Sequence, residues 1–242
     1  MKIYIFFLFG IFSVLIVTCN IACAQGGPPM LTDDSGTPGD GKWEDNFAFV
    51  FSGTRNNYTK DFPIADFNYG LGERIQLKAE MAWVAGKGDN VAGKFDYFSL
   101  GCKYRFLDEQ RDGISLSTYP QPVISFTPTE KSRSVDYGIL IPLSASKELL
   151  GFSATLQLGY NILGTQSSWI YGIALSHDIG RTTVIAEIHS ESTIQTFLDL
   201  GAQIYLSDTY TILAAIGKDI ASPSFSSGNA NFYGYFGLQV HL

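Results

Sequence analysis

Long stretches in which every second residue is apolar constrain the fold of this chain more than any other feature of its sequence. Between positions 152 and 162, Phe, Ala, Leu, Leu, Tyr and Ile alternate with Ser, Thr, Gln, Gly and Asn. Residues 75–83, 97–106 and 198–206 divide in the same way. Because successive side chains of a β-strand point to opposite faces of its sheet, this pattern predicts many strands with one apolar and one polar face.

Weaker alternation fills the intervals, and together the patterns predict about twelve strands, an even number as in bacterial membrane barrels. Their connections alternate between tight turns and longer loops, as expected when both termini of a barrel lie on the periplasmic side. Residues 164–167 form the one short connection where a long one is expected. Barrels of about ten or fourteen strands are the alternatives. The predicted strands are residues 43–51, 59–69, 75–84, 96–106, 113–127, 135–147, 151–163, 168–179, 182–190, 197–206, 209–218 and 231–242.

Residues 1–24 have the pattern of a cleavable signal peptide. Lys2 precedes an apolar run at residues 3–17, which is shorter than the ~20 residues that a membrane-spanning helix needs. Ala22-Cys23-Ala24 follows, so we place the cleavage before Gln25. Removal of this segment leaves Cys102 as the single cysteine of the mature chain, which excludes an internal disulfide.

The composition of the mature chain excludes one class of partner and favours a membrane location. It holds 15 basic and 23 acidic residues, a formal net charge of −8, and no basic stripe that would bind nucleic acid. The mean hydropathy of the full chain, signal segment included, is +0.09, yet no apolar run after Val17 is long enough to cross a bilayer as a helix. A hydrophobic exported chain of this kind suits lipid if its strands close into a barrel and pair every backbone group.

We therefore predict an all-β protein, a transmembrane antiparallel up-and-down barrel formed by residues 43–242. Its predicted place is the outer membrane of a Gram-negative bacterium, surrounded by outer-membrane lipid and lipopolysaccharide. Phe236, Leu238 and Val240 alternate at the C-terminus and resemble the signal that the barrel-assembly machinery reads. The alternative for this last strand is an ordinary amphipathic edge strand.

Residues 25–42 precede the first strand and are too rich in Gly and Pro for a helix or a strand ladder. They are predicted to form a periplasmic N-terminal segment, which either tethers the barrel or folds up into its mouth. The segment carries the pairs Pro28-Pro29 and Asp33-Asp34. Two aspartates alone are too few ligands to indicate a calcium site.

The polar face of the predicted strands is expected to line the barrel interior. Lys78 and Glu80 would lie beside Lys103 and Arg105 on the neighbouring strand and form facing ion pairs. Two interpretations stay open, since these pairs either seal a narrow barrel or line a pore and select solutes by charge. The other predicted lumen residues are Glu44, Asn46, Asp66, Gln76, Gln157, Glu187, His189, Asp199, Gln203, Tyr235 and Gln239.

The aromatic residues fall into two groups. Those that alternate with the apolar, outward-facing residues near strand ends are expected to form girdles at the two membrane interfaces. Those at the alternate, inward-facing positions would place rings inside the barrel, where they either stack on an aromatic solute or pack together and plug the lumen. The lumen group comprises Tyr119, Tyr205, Tyr233 and Tyr235.

No residues form a recognisable catalytic or metal-binding motif, so no enzyme activity, metal or cofactor is predicted. Glu187 and His189 share a strand face, whereas Ser190 and Ser192 fall on the opposite parity or in a loop. That arrangement disfavours a hydrolase in which histidine activates serine. Three scattered histidines and one cysteine also lack the spacing of a metal site.

Five short motifs in the first half of the chain resemble sequences of one known barrel family. They are residues 27–34 (GPPMLTDD), 43–44 (WE), 66–70 (DFNYG), 100–106 (LGCKYRF) and 119–121 (YPQ). The family is the outer-membrane barrel group named for the meta-pathway of phenol degradation, often described as transporter-like. The resemblance implies an association with the uptake of aromatic compounds, and it transfers no catalytic motif.

The predicted function is a passive or selective channel for small solutes, with aromatic or hydrophobic compounds as the candidate class. A closed barrel with a structural or surface-binding role is the first alternative, and permeability separates it from a channel. A barrel hydrolase acting on lipid is the second alternative. It predicts a lipid-modifying activity that the substitution His189→Ala abolishes.

Overall fold

The structure is a computed structural model that describes residues 27–53, 58–86, 94–128, 133–192, 195–221 and 231–242. The predicted signal peptide at residues 1–24 lies outside the described residues. Among the described residues, no helix has the length and hydropathy of a membrane-spanning segment.

Strands make up nearly all of the described chain. A single short helix, α1 (Glu109–Asp112), lies in the connection between the fourth and fifth strands, and Asp108 caps its N-terminus. The strands are β1 (Trp43–Gly53), β2 (Tyr58–Leu71), β3 (Ile75–Gly86), β4 (Lys94–Leu107), β5 (Ser115–Thr118), β6 (Gln121–Pro128), β7 (Arg133–Leu149), β8 (Phe152–Leu163), β9 (Gln166–Ile179), β10 (Thr182–Ser192), β11 (Gln195–Tyr205), β12 (Tyr210–Asp219) and β13 (Phe232–His241).

The strands close into an antiparallel barrel. Consecutive strands pair with each other except β5 and β6, and β1 pairs with β13 from Glu44 opposite His241 to Gly53 opposite Phe232. β5 and β6 both pair with β4 and β7, so they are two halves of one strand interrupted at Tyr119-Pro120. The barrel therefore has twelve strands, which confirms the predicted fold class and places a strand at each predicted position.

The two faces of the barrel differ as the alternation predicts. Outward side chains are large, apolar and exposed, for example Leu156, Leu175 and Leu200, whose exposed fractions are 55%, 50% and 60%. The neighbouring inward side chains are mostly polar and buried, for example Thr155 and Asp199. A soluble protein would place this much exposed apolar surface in water at a large cost, whereas a bilayer solvates it.

Aromatic pairs occupy the outer face near both ends of the strands. The rings of Trp43 and Tyr69 pack at a tilt of 46°, with centroids 4.8 Å apart, at the end with the short turns. Tyr160 and Trp169 meet at 5.0 Å near the opposite end. Rings at these two levels match the girdles that membrane barrels place at their interfaces with water.

The apolar outer face leads to a prediction that depends on depth in the bilayer. Leu200→Arg, in the middle of β11, is expected to destabilise the barrel in lipid vesicles, lowering its free energy of unfolding by about 2–4 kcal/mol. Leu206→Arg, beside the short turn after β11, is the matched control and should cost at most about 1 kcal/mol. Denaturant titration of each variant measures both values, and equal costs would contradict the assigned membrane position.

Candidate functional site

Residues Gly27–Gly41, hereafter the plug, enter the barrel from the end with the short turns. The amide of Gly41 donates to the carbonyl of Gly70 at 2.9 Å, and the amide of Gly72 donates to the side chain of Asp40 at 2.7 Å. These bonds fix the plug at the rim next to β2 and β3. In the structure the plug lies inside the barrel.

Inside the lumen, wall side chains satisfy the backbone of the plug. Irregular backbone at membrane depth requires such partners because no water of the bilayer core is available to it. The hydrogen bonds run from the amides of Thr32 (2.5 Å) and Leu31 (3.2 Å) to Glu187, from the amide of Asp33 to Gln157 (2.7 Å), from the amide of Ser35 to Ser146 (3.2 Å), and from Gln203 to the carbonyl of Pro28 (2.9 Å).

Lys103 is the main charged contact between the wall and the plug. Its ammonium lies 3.0 Å from a carboxylate oxygen of Asp33, 3.7 Å from one of Asp34 and 3.0 Å from the Asp34 carbonyl. The side chain of Lys103 is 3% exposed, so these plug groups replace the water that its charge has lost. The predicted motif Asp33-Asp34 thus binds the wall.

The ion pairs expected between β3 and β4 are not the ones observed. The register places Lys103 opposite Gln76 and Lys78 opposite Gly101, which separates the predicted partners. Lys78 instead contacts Asp66 at 3.4 Å and Glu80 at 2.9 Å. Arg105 turns toward the short-turn rim, where it donates to the carbonyl of Glu73 at 2.6 Å and lies 3.3 Å from Asp108.

The side chains at the predicted lumen positions are buried or half-buried in the structure. None of the predicted lumen residues is exposed, and those nearest the plug are almost fully buried. The sequence did not indicate what buries them, because the segment that fills the lumen has no periodic pattern of its own. A lumen filled in this way is narrower than the strand number alone implies.

Two inward glycines make room for the plug. A Cβ atom at Gly172 would lie 2.0 Å from the hydroxyl of Thr32, and one at Gly201 would lie 2.3 Å from the terminal methyl of Met30. Met30 itself packs against Ile185 and is 5% exposed. Glycine at these lumen positions is a signal in the sequence for close approach of another segment, although it does not reveal which one.

A cavity of about 660 Å³ extends from the plug toward the strand ends at the long connections. Six plug residues, Gly27 to Leu31 and Asp33, contribute to its wall. Aliphatic side chains contribute as well, and its charged groups are largely paired with one another, since Lys78 contacts Asp66 and Glu80. The aromatic side chains lining it are Tyr97, Tyr119, Phe197, Tyr233 and Tyr235.

The predicted lumen tyrosines separate into two roles. Tyr119, Tyr233 and Tyr235 line the cavity, as stacking of an aromatic solute would require. The ring of Tyr119 has the ammonium groups of Lys78 and Lys103 each 5.7 Å from its centroid. Tyr205 lies nearer the short-turn rim, where its hydroxyl donates to Gln203 at 3.1 Å, so it is part of the packing.

Glu187, His189 and Asp199 form a buried cluster on the lumen wall. The Nδ1 atom of His189 lies 2.6 Å from Asp199 and 3.6 Å from Glu187, and these side chains are at most 3% exposed. Each residue was predicted to face the lumen, but their convergence depends on the β10–β11 register, which the sequence does not show. The hydroxyl of Ser190 accepts from the amide of Tyr171 at 2.9 Å and so faces a different partner.

Comparisons with known proteins support the fold. No protein-family model matches the chain, and no curated protein sequence is significantly similar to it. An outer-membrane channel from Pseudomonas putida F1 superposes with a TM-score of 0.66 at 10% identity, over 86% of this chain and 98% of that one. The KdgM porin, solved with oligogalacturonate, gives 0.56 at 8% identity, and the NanC porin gives 0.54 at 10%; each match covers 81% of this chain and 98% of the porin. The chain therefore shares the barrel fold of outer-membrane porins and channels.

The close approach at Gly172 predicts how the plug can be displaced. In a Cys102→Ser background, Ser35→Cys places a thiol at a fully buried plug position. Adding Gly172→Val should increase its rate of modification by a charged thiol reagent by about tenfold or more, because the new side chain occupies the space of Thr32.

Gly234→Val is the matched control, since the nearest atom to a Cβ there is 3.9 Å away. Labelling that is fast in the parent protein, or that is unchanged by Gly172→Val, would show that the plug does not pack on β9.

Proposed function

We propose that this protein is a channel in the outer membrane of a Gram-negative bacterium that admits small aromatic or apolar solutes. The observation that carries the proposal is the cavity of about 660 Å³ inside the barrel, with five aromatic side chains in its wall. Its volume is in the range of sites that hold small organic molecules, about 300–1,000 Å³.

The character of the cavity favours apolar solutes over hydrated ions. The lysine and two of the carboxylates in the wall contact each other, so little of their charge is available to a solute. Tyrosine, phenylalanine and aliphatic groups offer flat apolar surface with a few hydroxyls for orientation. A wide aqueous pore would instead need an open lumen, and the plug fills part of this one.

Two further observations fit the proposal. The fold is shared with an outer-membrane channel and with two porins, one of them bound to an oligosaccharide. Sequence identities of about one residue in ten do not indicate that this chain admits the same solutes. The motifs that resemble the phenol-degradation barrel family include Asp33-Asp34 and Tyr119, which lie at the plug contact and in the cavity wall. The proposed assignment to that family rests on those motifs.

A pair of neutral sugars tests the preference for aromatic groups. Phenyl β-glucoside and methyl β-glucoside share a polar head that slows their passage through pure lipid, and they differ in the ring. In liposomes containing the purified protein, we expect faster swelling with the phenyl compound despite its larger size, and Tyr119→Ala should reduce that advantage.

The outcome that contradicts the proposal is faster entry of the smaller sugar, as a simple sieve would give. A folded barrel that admits neither sugar would favour the closed barrel with a binding or structural role. A lipid-modifying activity that His189→Ala abolishes would favour the hydrolase.

Conductance in planar bilayers tests whether the plug limits the open lumen. Lys103→Glu replaces an attraction to Asp33 and Asp34 by repulsion, so we expect larger single-channel steps and a shift toward cation selectivity. Arg105→Glu is the matched charge reversal at the rim, where the arginine contacts Glu73 and Asp108, and its effect should be smaller. Equal effects of the two substitutions would sink the assigned role of the plug.

A further inference from the structure

We propose that Glu187, His189 and Asp199 form a binding site for a divalent transition-metal ion such as Zn²⁺ on the lumen wall. Among the described residues, this is the one group of at least three His, Cys, Asp or Glu side chains whose ligand atoms all lie within 4.8 Å of each other. An imidazole nitrogen with two carboxylate oxygens is a donor set that zinc accepts in proteins.

Strand pairing creates the site. Glu187 on β10 lies directly opposite Asp199 on β11, and His189 follows two positions along β10, on the same inward face. The three ligands thus come from two adjacent strands of a rigid sheet. Sites on strands hold their ligands more precisely than sites on loops.

The separations suit a small metal ion. Tetrahedral zinc with ligands at about 2.0–2.2 Å places pairs of ligand atoms roughly 3.3–3.6 Å apart. The distance from His189 Nδ1 to Glu187 Oε2 is 3.6 Å, within that range. The 2.6 Å between Nδ1 and Asp199 Oδ2 is a hydrogen-bond distance, and it would lengthen by less than about 1 Å through side-chain rotation when an ion replaces the proton.

The charges of the cluster also favour a divalent ion. The side chains of Glu187 and Asp199 are both 0% exposed, and within the described part of the chain no lysine or arginine forms an ion pair with either. A protonated His189 would still leave one negative charge in excess. A divalent ion beside a neutral imidazole balances both carboxylates, and buried charge is costly unless it is balanced.

Neighbouring groups hold the three ligands in place. The amide of Thr32 donates to Glu187 Oε1 at 2.5 Å and that of Leu31 to Oε2 at 3.2 Å, and Oε2 is also the oxygen nearest to His189, at 3.6 Å. The imidazole stacks on Phe197 with centroids 5.5 Å apart and planes 7° from parallel. A Cβ at Gly217 would lie 2.0 Å from an oxygen of Asp199, so the glycine leaves space for that carboxylate. Such outer contacts orient metal ligands and strengthen binding.

Because Glu187 also binds the backbone of the plug, metal binding and plug docking share one side chain. An ion that fixes Glu187 in its present orientation stabilises the hydrogen bonds to Thr32 and Leu31. Linkage then requires that the site on the wall binds the metal more tightly when the plug is docked than when the plug is displaced.

Zinc titration of the purified, chelator-treated protein by calorimetry tests the site. We expect one equivalent of Zn²⁺ to bind at neutral pH, and Co²⁺ in its place should give the visible absorption of a four-coordinate N/O site. Asp199→Asn keeps the shape of the side chain and should weaken binding by about 100-fold or more, as should His189→Ala.

The chain contains three histidines, so the controls are complete: His177→Ala and His241→Ala, at the barrel ends, should leave zinc binding unchanged. Heat-modified gel mobility shows whether each variant is folded. If the folded parent protein binds no more zinc than Asp199→Asn, the cluster is an imidazolium–carboxylate ion pair and the proposal is overturned. Loss of binding in a control variant instead would place the metal elsewhere and overturn it as well.

Discussion

The pairing of backbone polar groups in an environment without water is the constraint on which the rest of this structure depends. β1 and β13 close the sheet, so that none of the described strands is left with an unpaired edge in lipid. The same requirement governs the plug, which has no regular structure of its own. Its amides are satisfied by Glu187 and Gln157, and its carboxylates by Lys103, all of them on the inner wall.

Closure and plugging together determine what the lumen can do. Twelve strands enclose more space than the inward side chains of the wall fill, and the plug takes up the part nearest the short turns. The remaining space is bounded by Met30 and Leu31 at one end and by aromatic rings along its sides. The proposed solute preference and the proposed metal site both depend on this arrangement, since Glu187 contacts the plug and Phe197 separates His189 from the cavity.

The sequence predicts the wall of the barrel well and its contents poorly. Alternation depends on nearest neighbours along one strand, so the inward positions of Lys103, Glu187 and Asp199 could be read directly. Which residues meet depends on strand register and on contacts distant in sequence, such as Asp33 with Lys103. The β3–β4 register sets Lys103 opposite Gln76 and Glu80 opposite Ser99, which separates the predicted ion-pair partners; the sequence does not fix this register, and a shift of two positions keeps every side chain on its face while changing its partner. The glycines at positions 172 and 201 mark the close approach of the plug, but their partners Thr32 and Met30 carry no complementary pattern.

A disulfide between the plug and the wall tests most directly the claim that residues 27–41 fill the lumen. In a Cys102→Ser background, Thr32→Cys combined with Gly172→Cys joins two positions that are in contact in the structure. A Cβ at Gly172 would lie 3.0 Å from that of Thr32, so a shift of about 0.5–1 Å brings the pair to the ~3.5–4.5 Å of a disulfide, and the bond replaces the clash with the threonine hydroxyl. The account predicts a nearly complete cross-link in the membrane-embedded protein, detected by mass spectrometry of its peptides. Thr32→Cys with Gly234→Cys, on the outward face of β13, should remain reduced. A Thr32–Gly172 cross-link no more abundant than in that control would contradict the account.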